Sequence, residues 1–474
     1  MNFEKSMFMV SPNTSEEMIQ YVKTNLRVNH MGMLGQYLGL PSQNARNKQE
    51  IFQHIKDRVW KTLQGWKRNF FSAAGREVLI KSVAQAIPNY AMSCFKFPLS
   101  FCNDLNSLCA RFWWGGSEEG NKIHWHSWRK LCINKDHGGL GFRDLTIFNQ
   151  AMLAKQSWRL IKYPNSLLAK VLKGRYYKTG NFLKASLGNN PSYVWRSLLW
   201  GRELFMKGFR WRIGSGVGID ASSDPWIPRE GSCKPIAPHP NTQNLTVANL
   251  IHRNGTWNEQ MIRDLYIDQD ANLIINIPLN PQQKEDIIIW QFDPKGIFSV
   301  KSAYRLGMQS QNQSMASVSN YCHQNSLWKS FWKTPIPSKV KLCGWKIYKD
   351  ILPTKGNLYR RGIDLNTLCL MCRDRKETTS HLFWECKATK GLWPKYFHPS
   401  DLLCLNGRKD WEAMDYLESI WKKSDSGDSK TEKMSKSLIL CWLIWNYRNS
   451  ILLAGVDVLE QRHIPFTGAH VEVT

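Results

Sequence analysis

The chain has 474 residues, 42% apolar and 22% charged, with 64 Lys and Arg against 38 Asp and Glu. The resulting net charge of +26 attracts polyanions by releasing their counterions, so RNA or DNA is the expected partner, bound electrostatically and with low specificity, ahead of any membrane. Nine of the twelve cysteines scattered singly, Glu4 and Lys5 where a signal peptide is apolar, and no apolar run longer than Leu438 to Trp445 exclude a disulfide scaffold, a secretory leader and a bilayer-spanning helix, predicting an intracellular protein of nucleus or cytoplasm.

The charge is concentrated early: through Asp220 there are 32 basic and 13 acidic residues. From Glu50 to Phe70 apolar residues recur as Phe52, Ile55, Val59, Leu63, Trp66 and Phe70, one stripe of a helix. A second helix is predicted from Ser72, whose hydroxyl caps the free amides, through Ala86, with Pro88 ending it. The two form a basic pair, and Lys56, Lys61, Lys67, Arg68, Arg76 and Lys81 are its candidate contacts to a phosphate backbone. The alternative is a core-packing pair with a solvated outer face.

Between Asn106 and Asp144 tryptophan and glycine are dense, and core packing is the better reading for most of these tryptophans. Gly138, Gly139 and Gly141 lack the preceding strand and spacing of a dinucleotide loop, and read as a turn into a helix whose buried face is Ile147, Ala151, Ala154, Trp158 and Ile161. His124 and His126 have no adjacent ligand set and read as surface or hydrogen-bonded histidines.

Two hairpins are predicted. One places Trp211 and Ile213 against Val217 and Ile219 around a Gly-Ser-Gly turn; the other places Ile287 to Phe292 against Ile297 to Val300 around Asp293-Pro294-Lys295-Gly296. The Pro, Asn, His and Gln stretch from Lys234 to Asn244 reads as an interdomain linker. A polar loop is expected from Gln309 to Gln324, then helical pieces at Leu327 to Lys333 and Ser338 to Tyr348, a charged break at Ser424 to Lys433, and a final helix at Met434 to Leu453.

Cys369, Cys372, His381 and Cys386 carry the clearest chemistry. Three thiolates and an imidazole complete a closed tetrahedral shell around zinc without water, which is a structural rather than a catalytic arrangement. On an ideal helix at about 100° per residue, His381 and Cys386 would lie about 140° apart. Both can face one ion only if the helix breaks by Cys386. The alternative is three unrelated thiols and a core histidine.

The ordered segments YLGLPS, SAAGREVLIKSVAQAIPNYAMSCF, FWWGG, HGGLGFRDL, NQAMLAKQSWRL, PSYVWRSLLWGRELFMKGFRWRIGSG, DPWIP, GIFSVKSAY, ILPTKGNL, CLMC, HLFWEC and LIWNYRNS resemble the distal part of the reverse transcriptase of plant LINE-type, non-LTR retrotransposons. The resemblance places Cys369, Cys372, His381 and Cys386 on the ligand positions of the reverse-transcriptase zinc-binding domain. It implies a palm end and thumb-like helices at 1–100, a Trp/Gly-rich connector at 101–233, a linker at 234–283, the zinc-binding domain at 284–400 and a helical tail at 401–474. It also implies that the chain starts downstream of the palm's metal-binding aspartates, and that the following ribonuclease H domain is absent.

The expected fold is therefore mainly α with short β-hairpins (α+β), a helical thumb and connector plus a small zinc domain. Adjacent aspartates, which a two-metal polymerase needs to clamp attacking and leaving oxygens, do not occur in the sequence. The expectation is a non-catalytic protein with structural zinc and residual RNA or DNA binding, no small-molecule substrate and no membrane. Open alternatives are an accessory part of a reverse transcriptase completed in trans, a zinc-dependent protein-interaction module, and an inert retroelement remnant.

Overall fold

The computed structural model describes residues 8, 10–11, 13–28, 36–37, 40–41, 48–66, 71–115, 122–229, 231–279, 285–312, 321–402, 411–422 and 429–453. They are mainly helical, with two two-stranded antiparallel pairs. The chain divides into two units interleaved in sequence: one of 1–64, 83–108 and 143–316, the other of 65–82, 109–142 and 317–474. No helix among the described residues is long and apolar enough to cross a membrane.

In the first unit, helix Lys48–Gly65 buries Phe52, Ile55, Val59 and Leu63, the predicted stripe. Phe52 packs on Phe97 and Phe101, with ring centroids 4.5 and 5.7 Å away. Residues 67–70, the expected end of this helix, lie outside the described residues. Helix Leu145–Lys162 starts where Asp144 accepts the amides of Thr146 and Ile147, which satisfies donors that have no intrahelical partner. Its predicted face holds: Ile147, Ala151 and Ala154 are buried, and Trp158 packs beside them. Buried Asn149 on the same helix donates 2.8 Å bonds to the carbonyls of Met92 and Phe95 and accepts the amide of Phe97. It thereby closes the C-terminal end of helix Asn89–Cys94.

Neither predicted hairpin forms. Phe209–Arg212 pairs instead with Ile287–Trp290, antiparallel, with Phe209 opposite Trp290. The reason lies in the glycine loop, whose Gly214, Gly216 and Gly218 amides donate to the Asp286 carboxylate at 2.8, 2.9 and 3.1 Å. Successive amides converging on one anion make a nest, and here a carboxylate of the same chain fills it, so the loop holds the second strand rather than returning the first. The Asp293 to Gly296 turn does form, with a 2.9 Å bond from the Gly296 amide to the Asp293 carbonyl. Beyond it the chain enters helix Val300–Asn312.

The 234–283 stretch is not a bare linker. Its 3₁₀ turn Val247–Leu250 and helices Glu259–Leu265 and Asp268–Ile275 bury Val247, Leu250, Ile262 and Ile274 against Ile219, Trp226 and Ile227. Arg229 pairs with buried Asp270 at 2.6 Å, and the Asp270 carboxylate accepts the Ile236 amide at 2.8 Å. Composition marks only Lys234 to Asn244 as polar; the apolar residues come after it and close onto an earlier part of the chain.

The second unit begins with helix Ala73–Leu79, capped by Ser72 as expected. The predicted continuation to Ala86 is broken by a π-helical turn at Ile80–Ala84. Helices Tyr321–Lys333 and Ser338–Tyr348 pack with the glycine-rich turn: the Trp345 indole donates to the Gly138 carbonyl at 3.0 Å and the Trp332 indole to the Lys135 carbonyl at 3.1 Å. Gly138 has φ +80°, and a Cβ there would lie 2.6 Å from the Trp328 ring. Its motif therefore serves aromatic packing. Helix Lys430–Leu453 begins inside the expected charged break, and helix Val300–Asn312 of the first unit reaches into the expected polar loop.

Replacing Asp286 with Ala should leave three loop amides without their carboxylate and lower unfolding free energy by about 2 kcal/mol or more, since bonds to charged groups contribute roughly 1.5–3 kcal/mol each. Denaturant unfolding checks this; an unchanged midpoint would show that the loop is held by other means.

Candidate metal centre

The metal-binding segment starts as a tight β-bridge. Leu368 bridges Lys376, the Cys369 amide donates to the Arg375 carbonyl at 2.8 Å, and the Glu377 amide to the Thr367 carbonyl at 2.8 Å. Arg373 turns the chain with φ +55°, a conformation costly for a residue with a side chain and held only when its surroundings determine it. Backbone amides of Met371 and Cys372 point at the Cys369 sulfur, those of Asp374 and Arg375 at the Cys372 sulfur, and that of Ala388 at the Cys386 sulfur. Such donors favour thiolate over thiol.

His381 and Cys386 are brought together by a π-helical turn, His381–Glu385. The Cys386 amide bonds to the His381 carbonyl five residues back at 2.7 Å, and Cys386 itself is extended, with φ −65° and ψ 132°. The wider turn stacks residues five apart, and the extended residue ends the helix, which meets the geometric requirement read from the spacing. All four ligand atoms lie within 4.8 Å of one another, with Cys369 to Cys386 at 3.9 Å and Cys372 to His381 Nε2 at 3.3 Å. Cys369, His381 and Cys386 are buried.

Protons and sulfurs compete in this cluster. The Cys386 thiol donating to it holds Cys369 down to about 3, while the same bond drives Cys386 upward. Hydrogen bonds to Cys369 and Cys372 raise the imidazole of His381. A divalent cation would replace those shared protons, because thiolate and imidazole ligands bind metal in their deprotonated forms. Three sulfurs, one nitrogen and no carboxylate suit zinc. No other group of this kind occurs among the described residues. His126 in particular is pushed down to about 4 by burial and by Lys130, Lys349 and Arg361, and it stays neutral at pH 7.

Comparison with known proteins agrees with this geometry. Residues 298–393 match the zinc-binding family in reverse transcriptase. An uncharacterized mitochondrial protein of Arabidopsis thaliana is 46% identical over 152 residues, which cover 99% of it and 32% of this chain. The chain belongs to the family of that protein. A second Arabidopsis relative, provisionally named a ribonuclease H protein, is 28% identical over 368 residues, or 75% of this chain. The chain spans 57% of that relative's length. Together with the zinc-binding match, these relatives make the protein retrotransposon-derived.

Two residues at this centre, Glu377 and Arg448, are not revealed by spacing. Both are buried, and the Arg448 guanidinium meets the Glu377 carboxylate at 2.6 and 3.3 Å. The same carboxylate accepts the amides of Lys355 at 2.9 Å and Leu370 at 3.4 Å, so one acid joins the cysteine turn, the start of helix Lys355–Arg360 and the final helix. A Cβ on Gly356 would lie 2.7 Å from the Glu377 carbonyl, which accounts for glycine in ILPTKGNL. The one available signal was Arg448 itself, the single charged residue from Ser437 to Leu453 in the final helix.

The proposed phosphate contacts do not form one free face. Lys61 is exposed, but Lys56 pairs with Asp104 at 2.6 Å. Lys81 donates to Glu77 at 2.6 Å and to the Leu140 carbonyl at 2.5 Å, and burial pushes its pKa down against the pull of Glu77. Arg76 is only partly exposed. Lys67 and Arg68 lie outside the described residues.

Purified protein should carry one zinc per chain, and Cys369→Ser or chelation should release it with loss of cooperative unfolding in the second unit; full metal content in Cys369→Ser would reject the assignment. Arg448→Ala should cost roughly 3–5 kcal/mol by leaving Glu377 as a buried, uncompensated charge, measured by denaturant unfolding. A loss below about 1 kcal/mol, the range of exposed pairs, would show that the pair is not buried in solution.

Proposed function

We propose that this protein is a nucleic-acid-binding scaffold drawn from the thumb, connector and zinc module of a LINE-type reverse transcriptase, and that it transfers no phosphoryl group itself. The observation that carries the reading is the closed quartet of Cys369, Cys372, His381 and Cys386 within 4.8 Å, in a segment matching the reverse-transcriptase zinc-binding family, on a chain of net charge +26. Four protein ligands leave no position for water or substrate, so the zinc is structural and orders the turn, the Glu377–Arg448 pair and the final helix. Polymerase chemistry needs carboxylates that hold paired metals. The sequence has no adjacent aspartates, which supports binding without catalysis. The cationic surplus supplies affinity for RNA or DNA by counterion release, with no base-edge readout required.

Fluorescence anisotropy of the zinc-loaded chain with labelled oligonucleotides, over a series of salt concentrations, tests this. The expected result is binding whose log affinity falls linearly with log salt, and no primer extension with magnesium and deoxynucleotides. Absence of binding, or affinity indifferent to salt, would favour a protein-interaction module; extension of a primer would contradict the non-catalytic reading.

A further inference from the structure

Between Asp144 and Glu203 the chain holds ten lysines and arginines and no aspartate or glutamate. The stretch folds as helices Leu145–Lys162, Leu167–Tyr176 and Tyr193–Met206, closed over a small core that includes Leu160, Ala169, Leu172, Phe182, Trp195 and Leu198. Nine of the ten cations are exposed, and none of the nine forms an ion pair among the described residues. The tenth, Arg202, turns inward and donates to the carbonyls of Phe182 and Ala185 at 2.7 Å. A surface that only needs solubility mixes charges of both signs. A single-sign surface of this extent concentrates a polyanion.

The middle helix shows what kind of polyanion fits. Its inner side buries Ala169 and Leu172 and stacks Tyr176 on Trp195 with centroids 4.5 Å apart. At about 100° per residue the opposite side carries Leu167 and Val171, flanked by Lys170 and Arg175. Leu167 is 79% exposed and Val171 57%, and Tyr163, in the turn before them, is 64% exposed. Phosphates alone give no reason for apolar side chains among the cations. Unpaired bases do, because their faces pack on aromatic and apolar surface while the backbone follows the charges. A duplex hides those faces. Leu167, Leu168 and Val171, the exposed aliphatic residues of this ten-residue helix, are too small an apolar stripe to seat a helix in a lipid interface, which takes a broad apolar face.

We propose that this acid-free module is the contact surface for single-stranded nucleic acid, with phosphates on Lys170, Lys173 and Arg175 and unpaired bases against Tyr163, Leu167 and Val171. The inference rests on the nucleic-acid-binding reading above and gives it a place other than helices Lys48–Gly65 and Ala73–Leu79.

The test uses the full, zinc-loaded chain and an oligothymidylate, with a duplex of equal length beside it. Lys170→Ala, Lys173→Ala and Arg175→Ala together should weaken oligothymidylate binding about a hundredfold near 0.1 M monovalent salt and make the salt slope shallower by about 2, from roughly 0.7 per phosphate contact on single strands. A control with Arg253→Ala, Lys395→Ala and Lys422→Ala removes the same charge elsewhere and should weaken binding far less. Tyr163→Ala with Leu167→Ser should weaken oligothymidylate and spare the duplex. All the substituted residues are exposed, so circular dichroism and unfolding midpoints should not move. Unchanged binding by the module variant, or equal weakening by the control, would overturn this assignment while leaving the nucleic-acid reading standing. No binding by the unsubstituted chain would overturn both. Vesicles of phosphatidylserine and phosphatidylcholine that bind the chain and displace the oligothymidylate would move the surface to membranes and overturn it too.

Discussion

Three sulfurs and an imidazole held within 4.8 Å cannot all be deprotonated without a cation, because like charges at that separation in a buried site repel strongly. The backbone nevertheless aims amides at three of the sulfurs, a preparation for thiolates rather than thiols. The rest of the second unit is arranged around that arrangement. The π-helical turn brings Cys386 under His381, the cysteine turn positions the Leu370 amide toward Glu377, and Glu377 receives Arg448 from the final helix. A buried ion pair is poor evidence of net stability, since desolvation offsets its attraction. Its use here is geometric: it fixes one register between elements 71 residues apart.

The first unit shows a different economy of charge. Where an anion-cradling loop occurs, at Gly214 to Gly218, the chain fills it with its own Asp286. Where acids would ordinarily neutralise surface lysines, between 145 and 202, none is present. Internal carboxylates thus organise the backbone in one place, and exposed cations remain open to solvent in another. A partner with a regularly spaced negative backbone suits the second arrangement, and a small anionic ligand in the glycine loop does not suit the first.

Much of this was legible in the sequence wherever the code is local. The apolar stripe of Leu145–Lys162, the Ser72 cap and the helix Ser338–Tyr348 follow from periodicity and capping chemistry, and the quartet follows from ligand type and spacing. What failed was non-local. Trp211 was expected to turn back on its neighbours, but its partner is Ile288, because Asp286 anchors the intervening loop and no local signal reveals that bond. Lys234 to Asn244 reads as a linker by composition and the resemblance extends that to 234–283, yet Val247 and Ile262 find a core in Ile219 and Trp226. Glu377 and Arg448 are unremarkable charges until the fold buries both. Lys56 and Lys81 are candidate phosphate contacts by sequence, and only the fold shows Asp104, Glu77 and the Leu140 carbonyl beside them.

Zinc K-edge X-ray absorption on the purified, unsubstituted chain tests the centre of this account most directly. It should show three sulfurs at about 2.3 Å and one nitrogen at about 2.0–2.1 Å, with no oxygen in the shell. A shell containing water or carboxylate oxygen, or one with fewer than three sulfurs, would contradict it.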